Sequence, residues 1–404
     1  MVWRWSGNGK SVNFAERHKK LINQNYFMMK SFRLLTLAMV PVLIAGMIAC
    51  KGTKKQEMVK SEAFGTFSGK EVTLYTLTNK KGDIIKLTNY GAAIVEISVP
   101  DRKGVRENVT FGYDNLDGYL NGDPYFGKVV GQYANRVAKG KFTLDSVEYS
   151  LDLNNGPNSL HGGKTGWHSR VWDAQVLENT DFPAVRFTYN KPDMEEGYPG
   201  NVIAEVVYTW TDNDDIIMDY KVSTDKRTVI NITNHAYFNL HGTGKGDILD
   251  HEAIVRASAF TPVDSTLIPT GEIRPVDGTP FDFRTPHLLG ERIGMDEEQL
   301  KLGGGYDHNF VLDNAEEVDA MVYDPSTGRV IEVLTDQPGV QLYTGNFLDG
   351  TQTGRGGKVY QYRSGFCLET QHYPDGPNQA TFPTVVLTPE EPFLSSTTYR
   401  FSVK

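Results

Sequence analysis

The sequence predicts an all-β protein, a large antiparallel β-sandwich, on three observations. From Phe64 onward, β-branched and aromatic residues alternate with polar ones in one stretch after another, the pattern of strands with one buried face. Clusters of Gly, Asn and Asp separate those stretches at short intervals and supply the backbone angles that hairpins need. Helical periodicity is scarce. Many short strands joined by tight turns bury their apolar faces by packing sheet on sheet.

The chain has 404 residues, 39% of them hydrophobic, 40 glycines and a formal net charge of -9, the composition of a turn-rich globular protein. An acidic balance without a basic stripe excludes nucleic acid as a partner, because phosphate binding needs clustered Lys and Arg.

Taken in order, the first element is an export segment. Residues 1–27 precede a credible start at Met28 or Met29 and read as an extension upstream of the native protein. Residues 28–49 begin with Lys30 and Arg33 and continue as an apolar run from Leu34 to Ala49, a secretory signal pattern. The run is shorter than the roughly 20 apolar residues of a spanning helix, and Pro41 interrupts it, so a cleaved signal fits better than a permanent anchor. Its end, "MIAC", resembles a bacterial lipoprotein cleavage box, with Met47 where Leu is usual and Cys50 as the lipidated first residue. These features describe an exported lipoprotein, periplasmic or membrane-anchored, that touches the membrane only through its lipid. Residues 50–63 then form a lipidated, polar tether. The other cysteine, Cys367, is left without a disulfide partner, so the core alone must stabilise the mature chain of 404 − 49 = 355 residues.

The sandwich proper, residues 64–404, opens with "EVTLYTLTN" and "DIIKLTNYGAAIVEISV" and continues through "VRFTYN", "NVIAEVVYTWTDNDDIIMDYKVST" and "RTVINITN". "NKKGD", "PDRKG", "NNGPN", "TDNDD" and "DPSTG" are the turns. "GERIGMDEEQL" from Gly290 is the best helix candidate. No repeat or Pro/Ser-rich linker divides these residues, so one domain is expected.

Five polar stretches break the alternation: "GQYANRVAKGKF", "NSLHGG", "TNHAYFNLHG", "GGGYDHNFVL" and "CLETQHYPD". Singly, each has an ordinary explanation. A histidine beside aromatics, as His235 is, more often serves as a packing residue, His161 reads as a turn residue and Arg136 as half of a surface ion pair. Glu369 is more telling, because it follows an apolar run on a strand, where an unpaired carboxylate is costly. His161, His235, His372 and Asp307 are nitrogen and oxygen donors that suit zinc, but no HExxH or CxxC spacing joins them. Glu369 and Asp307 also fit the acid and base of a glycosidase, a role the histidines argue against. A non-catalytic carbohydrate-binding sandwich is the third reading.

"ANRVAKGKF", "LHGG", "TNHAYFNL", "YDHNFVL", "GVQLYTGNFLDG" and "GFCLETQHYPD", in this order, resemble the galactose mutarotases, or aldose 1-epimerases, across Phe64 to Lys404. The resemblance implies a large β-sandwich that interconverts the α and β anomers of an aldohexose, typically galactose or glucose. By the motif matches, Glu369 would be the general base at the C1 hydroxyl and His235 the general acid at the ring oxygen. Ring opening needs a proton removed at O1 while another reaches O5, so a base and an acid on opposite sides of the acetal carbon suffice. A carboxylate and an imidazolium, each holding the other in its charged state, suit that work.

The resemblance also assigns Asn135, Arg136, His161, Tyr237, Asp307 and Gln341 to sugar binding. Trp167 would be an aromatic wall or a core residue, and His241 structural. Proton transfer needs no cofactor and no metal; an incidental structural Ca2+ is compatible with the sequence, although no loop has the EF-hand pattern. A monomer with a small aldose as its ligand is expected. The front of the chain departs from the usual cytoplasmic enzyme, and an outside-facing mutarotase would condition sugars released from polysaccharides before uptake.

Overall fold

Where the sequence alternates, the backbone is extended. In the computed structural model, residues 58–404 are described apart from Pro124 and Glu316. The export segment, Cys50 and most of the tether lie outside the described residues. The first strand, Val59–Phe67, starts upstream of Phe64, so the last residues read as tether belong to the sandwich; it pairs antiparallel with Lys70–Thr78.

Three antiparallel sheets carry most of the strand residues. A five-stranded sheet runs in chain order from Val59–Phe67 to Arg106–Asn108. In a nine-stranded sheet, Asp173–Val176, Ala184–Lys191, Val202–Trp210 and Asp215–Thr224 follow one another before Phe393–Val403 inserts beside them. A six-stranded sheet has the order Tyr237–Phe238, Phe366–Gln371, Gly339–Tyr343, Asp307–Leu312, Ala257–Phe260 and Arg274–Pro275. The alternation in "NVIAEVVYTW" becomes burial: Val202, Ala204, Val206, Tyr208 and Trp210 face the core, and Ile203 is exposed.

One core cluster draws on all three sheets: Ile85, Ile94 and Ile97 from the first, Val206, Met218 and Tyr399 from the second, Phe310, Leu342 and Leu368 from the third. The sheet-on-sheet reading therefore stands, and Glu57–Lys404 cluster as one compact unit. The helix expected over "GERIGMDEEQL" is two short ones, Leu289–Arg292 and Glu298–Gly303. Gly294 falls between them, and the Glu297 carboxylate restarts the helix by accepting from the Leu300 N–H. Leu116–Asn121, capped by Asn115, is a further helix that the pattern did not announce.

Candidate active site

The six-stranded sheet has two unlike faces, and the site stands on the second. On strand Phe366–Gln371, Phe366 and Leu368 enter the core, so Cys367, Glu369 and Gln371 point the other way. Register extends that polar row across the sheet: Glu369 pairs with Gln341, Gln341 with Asn309, and Tyr343 with Asp307. Tyr237 pairs with Cys367 in antiparallel register, and continuing by two residues brings His235 opposite Glu369. The result is a contact of 3.6 Å between His235 Nε2 and Glu369 Oε2, with both side chains almost wholly buried.

That separation is too long for a hydrogen bond, and Glu369 Oε2 has no partner. Burial pushes the Glu369 carboxyl well above its usual range, with nearby Asp307 adding to the rise and Arg136 opposing it. Burial also lowers His235 to about 4. Desolvation thus works against both charged forms, contrary to the expectation of a resting carboxylate and imidazolium. The two side chains lie side by side on one floor of the sheet.

His161 and Asn135 lock each other in place. Both adopt left-handed backbone angles, φ 51 for His161 and φ 60 for Asn135. The Asn135 N–H donates to His161 Nδ1 at 3.1 Å, and the His161 N–H donates to the Asn135 carbonyl at 3.0 Å. With Nδ1 accepting, the neutral ring carries its proton on Nε2. Gly162 follows at φ +83, where a Cβ would meet the Gly131 carbonyl oxygen at 1.9 Å, so "LHGG" is a packing requirement as well as a motif. The His161 ring lies 5.0 Å from that of His235. Burial drives His161 well below its ordinary value, with His235 and Arg136 contributing.

Opposite, Arg136 Nε donates to Asn155 Oδ1 at 3.0 Å, and Nη1 stands 4.0 Å from Asp307 Oδ2. Burial raises the Asp307 carboxyl against the pull of Arg136 and a Gln341 hydrogen bond. A cleft of about 540 Å³ joins Asn135, Arg136, His161, His235, Tyr237, Asp307 and Glu369. Seven separate sequence assignments therefore meet around one space.

Other assignments fall elsewhere. Gln341 sits behind the cleft wall and donates to Asp307 Oδ1 at 2.7 Å, so it orients Asp307 instead of completing the pocket surface. Trp167 is 1% exposed, packs edge-on to Trp172 and belongs to the core, not to a sugar-facing wall. His372 is turned away, with Nδ1 2.8 Å from Gln337 Oε1, so the four-donor zinc set is not assembled. His241 bonds to Asp324 and Asp250 outside the cleft, as its structural reading expects.

Sequence reasoning missed Asp123, Tyr125, Tyr343 and Phe347, which also line the cleft. Tyr125 and Tyr237 both lie within about 20° of the His235 ring plane, at 5.6 and 5.1 Å. The sole forewarning was "YF" beside a loop, since Tyr125 reaches the site through a segment without regular structure.

A buried imidazole and carboxyl, unbonded to each other and flanked by polar side chains in a cleft, have the arrangement of an acid/base enzyme. The aldose 1-epimerase family profile matches residues 73–400, and the chain belongs to that family of isomerases. Galactose mutarotase from Rattus norvegicus is 47% identical over 321 residues, covering 79% of this chain and 91% of the relative. Aldose 1-epimerase from Escherichia coli is 34% identical, covering 82% and 96%. Galactose 1-epimerase from Lactobacillus acidophilus superposes with a TM-score of 0.76 at 28% identity, covering 85% of this chain and 98% of that one. Enzymes of this family are generally cofactor-independent.

Proposed function

We propose that the cleft interconverts the α and β anomers of aldohexoses such as galactose and glucose, with Glu369 and His235 moving the protons. The observation that carries this is the unpartnered Glu369 Oε2 beside the His235 imidazole at 3.6 Å. O1 and O5 of a pyranose are bonded to the same carbon, so a side-by-side acid and base reach both at once. Glu369 takes the O1 proton as His235 gives one to O5, the C1–O5 bond breaks and an aldehyde forms. Rotation about C1–C2 and reclosure with the roles exchanged gives the other anomer.

The two groups share one mobile proton. With both side chains buried, desolvation favours the neutral distribution, with the proton on Glu369. A sugar hydroxyl donating to Oε2, together with Arg136, favours the charged distribution that starts ring opening. Asn135, Arg136, His161 and Asp307 bind ring hydroxyls, and Tyr237 stacks on His235.

Polarimetry on freshly dissolved α-D-galactose tests the assignment: the drift in rotation accelerates without product release. A glycosidase would release sugar, and a binding module would leave the drift unchanged. Activity is expected to survive EDTA, because no step needs a metal.

The location is also a proposal: the charged start, the apolar run and "MIAC" support a lipoprotein anchored through Cys50. Palmitate labelling and globomycin sensitivity check it, and an unlabelled, wholly cytosolic protein overturns it. The protein is proposed to be a monomer, checked by sedimentation.

A further inference from the structure

The two nitrogens of His235 look into different surroundings. Nε2 faces Glu369 Oε2 at 3.6 Å. Nδ1 faces the sulfur of Cys367 at 3.7 Å, a separation that suits the larger sulfur atom. The sheet builds this arrangement. Cys367 pairs with Tyr237 in antiparallel register, and Cys367 and Glu369 share one face of strand Phe366–Gln371, so the thiol and the carboxyl address opposite ends of the same imidazole. Tyr125 and Tyr237 lie nearly parallel to the ring, inclined by 20° and 21°, and the His161 ring meets it edge-on at 77°. The ring cannot turn over and exchange its nitrogens without displacing these neighbours.

A neutral imidazole carries one proton, and the hydrogen bond at one nitrogen decides the state of the other. When Nε2 gives its proton to the sugar ring oxygen, the neutral ring left behind has its proton on Nδ1. The resting pair needs the same form, because a proton held on Glu369 passes to His235 only if Nε2 presents a lone pair. A ring protonated on Nε2 would offer Glu369 a donor and accept nothing. His161, whose Nδ1 accepts from the Asn135 N–H, carries that opposite tautomer in the same cleft.

Nδ1–H of His235 needs an acceptor. Among the described residues, Cys367 Sγ is the one side-chain atom bonded to it. The ring's own carbonyl lies close enough to favour the same tautomer, but that oxygen already accepts the Gly127 N–H at 2.9 Å. Burial pushes the Cys367 thiol well above its ordinary range, with Glu369, Asp123 and Asp307 adding to the rise, so the sulfur is neutral. An anionic acceptor at Nδ1 would hold the imidazolium and blunt it as an acid, whereas a thiol sulfur is a weak acceptor that leaves the ring ready to give up its proton.

We infer that Cys367 is a positioning residue for the reaction: its sulfur accepts the Nδ1–H of His235 and keeps the Nε2 lone pair on the side of Glu369 and the sugar ring oxygen. Cys367 is fully buried and outside the cleft lining, so it touches no substrate. This rests on the anomerisation reading above.

Long-range proton–nitrogen correlation spectra of the full chain with labelled histidine test it, with His235→Asn identifying the His235 signals among the nine histidines. The wild type shows the proton on Nδ1. In Cys367→Ala the two tautomers mix, and kcat for α-D-galactose falls about five- to tenfold with KM unchanged; Cys367→Ser restores both readings. A wild-type ring protonated on Nε2 overturns the role of Cys367 without recourse to any variant. So does a Cys367→Ala protein that keeps the wild-type tautomer, whether or not its rate falls. Either result leaves the anomerisation reading standing, whereas a wild type that leaves the drift of galactose rotation unchanged sinks both.

Discussion

Two clusters of histidine and carboxylate in this molecule share a composition and differ in everything else. His161, His235 and Glu369 bring donor atoms within 4.8 Å of one another, and so do His241, Asp250 and His251. In the second cluster the bonds are saturated. His241 Nδ1 faces Asp324 at 3.0 Å and Nε2 faces Asp250 at 2.9 Å. His251 Nε2 accepts from the Leu240 N–H at 3.1 Å, which leaves Nδ1 as the protonated atom, directed at Asp250 at 3.3 Å. A ring committed in this way has no lone pair for a metal or a substrate. In the cleft, by contrast, a buried carboxylate oxygen has no partner, and the neighbouring imidazoles are pushed toward neutrality by burial. Unmet bonding capacity that faces a cleft, not residue type, separates the reactive cluster from the structural one.

Deleting the unmet groups is the sharpest way to break this contrast. Glu369→Gln and His235→Asn each lower kcat by a factor on the order of 10² or more, while the thermal midpoint changes little, because neither side chain makes a strong hydrogen bond on which the fold relies. Polarimetry and calorimetry on the same samples check both halves. A variant with wild-type rates, or one that loses activity only by unfolding, removes the distinction.

The saturated cluster should respond in the opposite way. Asp324→Ala strips His241, Ser326 and Thr327 of their acceptor and costs about 3 kcal/mol of stability, the usual consequence of breaking a buried charged pair. The kcat of the folded fraction stays near that of the wild type. Denaturant unfolding with parallel activity assays measures this, and a large kcat loss in folded protein would join the two clusters functionally.

The comparison also shows how much of the molecule was legible in the sequence. The sandwich was readable because alternation is a local signal, and strands such as Val202–Trp210 preserve it in their burial. Glu369 was readable for the same reason, as a carboxylate on an apolar strand. What escaped depends on distance and direction. Whether His235 or His308 faces the cleft is decided by which side of a strand each occupies. His308, next to Asp307, points into the core against Phe281, with ring centroids 4.7 Å apart, and strand neighbours always diverge in this way. Gln341 was assigned to the right neighbourhood but sits one layer too deep. Tyr125 and Phe347 arrive on loops whose paths no periodicity announces.

Solution pH separates the clusters more gently. The Asp324 hydrogen bond leads the effects that hold His241 above its usual 6.5. The His241 contribution to stability is therefore complete below about pH 6.5 and is lost as pH rises through the folded value. Burial alone would raise Asp324, but His241, Thr327 and Ser326 outweigh it and hold the carboxyl below its usual 3.8. Its contribution is complete above that value and lost in acid. The gap in thermal midpoint between wild type and His241→Asn is thus widest between about pH 4 and 6.5 and narrows toward pH 9. A gap independent of pH would mean that packing, not charge, holds this cluster together.

The smallest effect belongs to the layer behind the cleft. Gln341→Leu removes the donor at Asp307 Oδ1 but leaves the acid/base pair in place. Loss of one hydrogen bond to a charged acceptor is worth roughly 1.5 kcal/mol, so KM rises by about tenfold while kcat changes little. The split between the two constants is what identifies a positioning residue. A fall in kcat with KM unchanged would instead put Gln341 in contact with the reacting atoms, and the boundary drawn here between cleft surface and supporting layer would have to move outward by one residue.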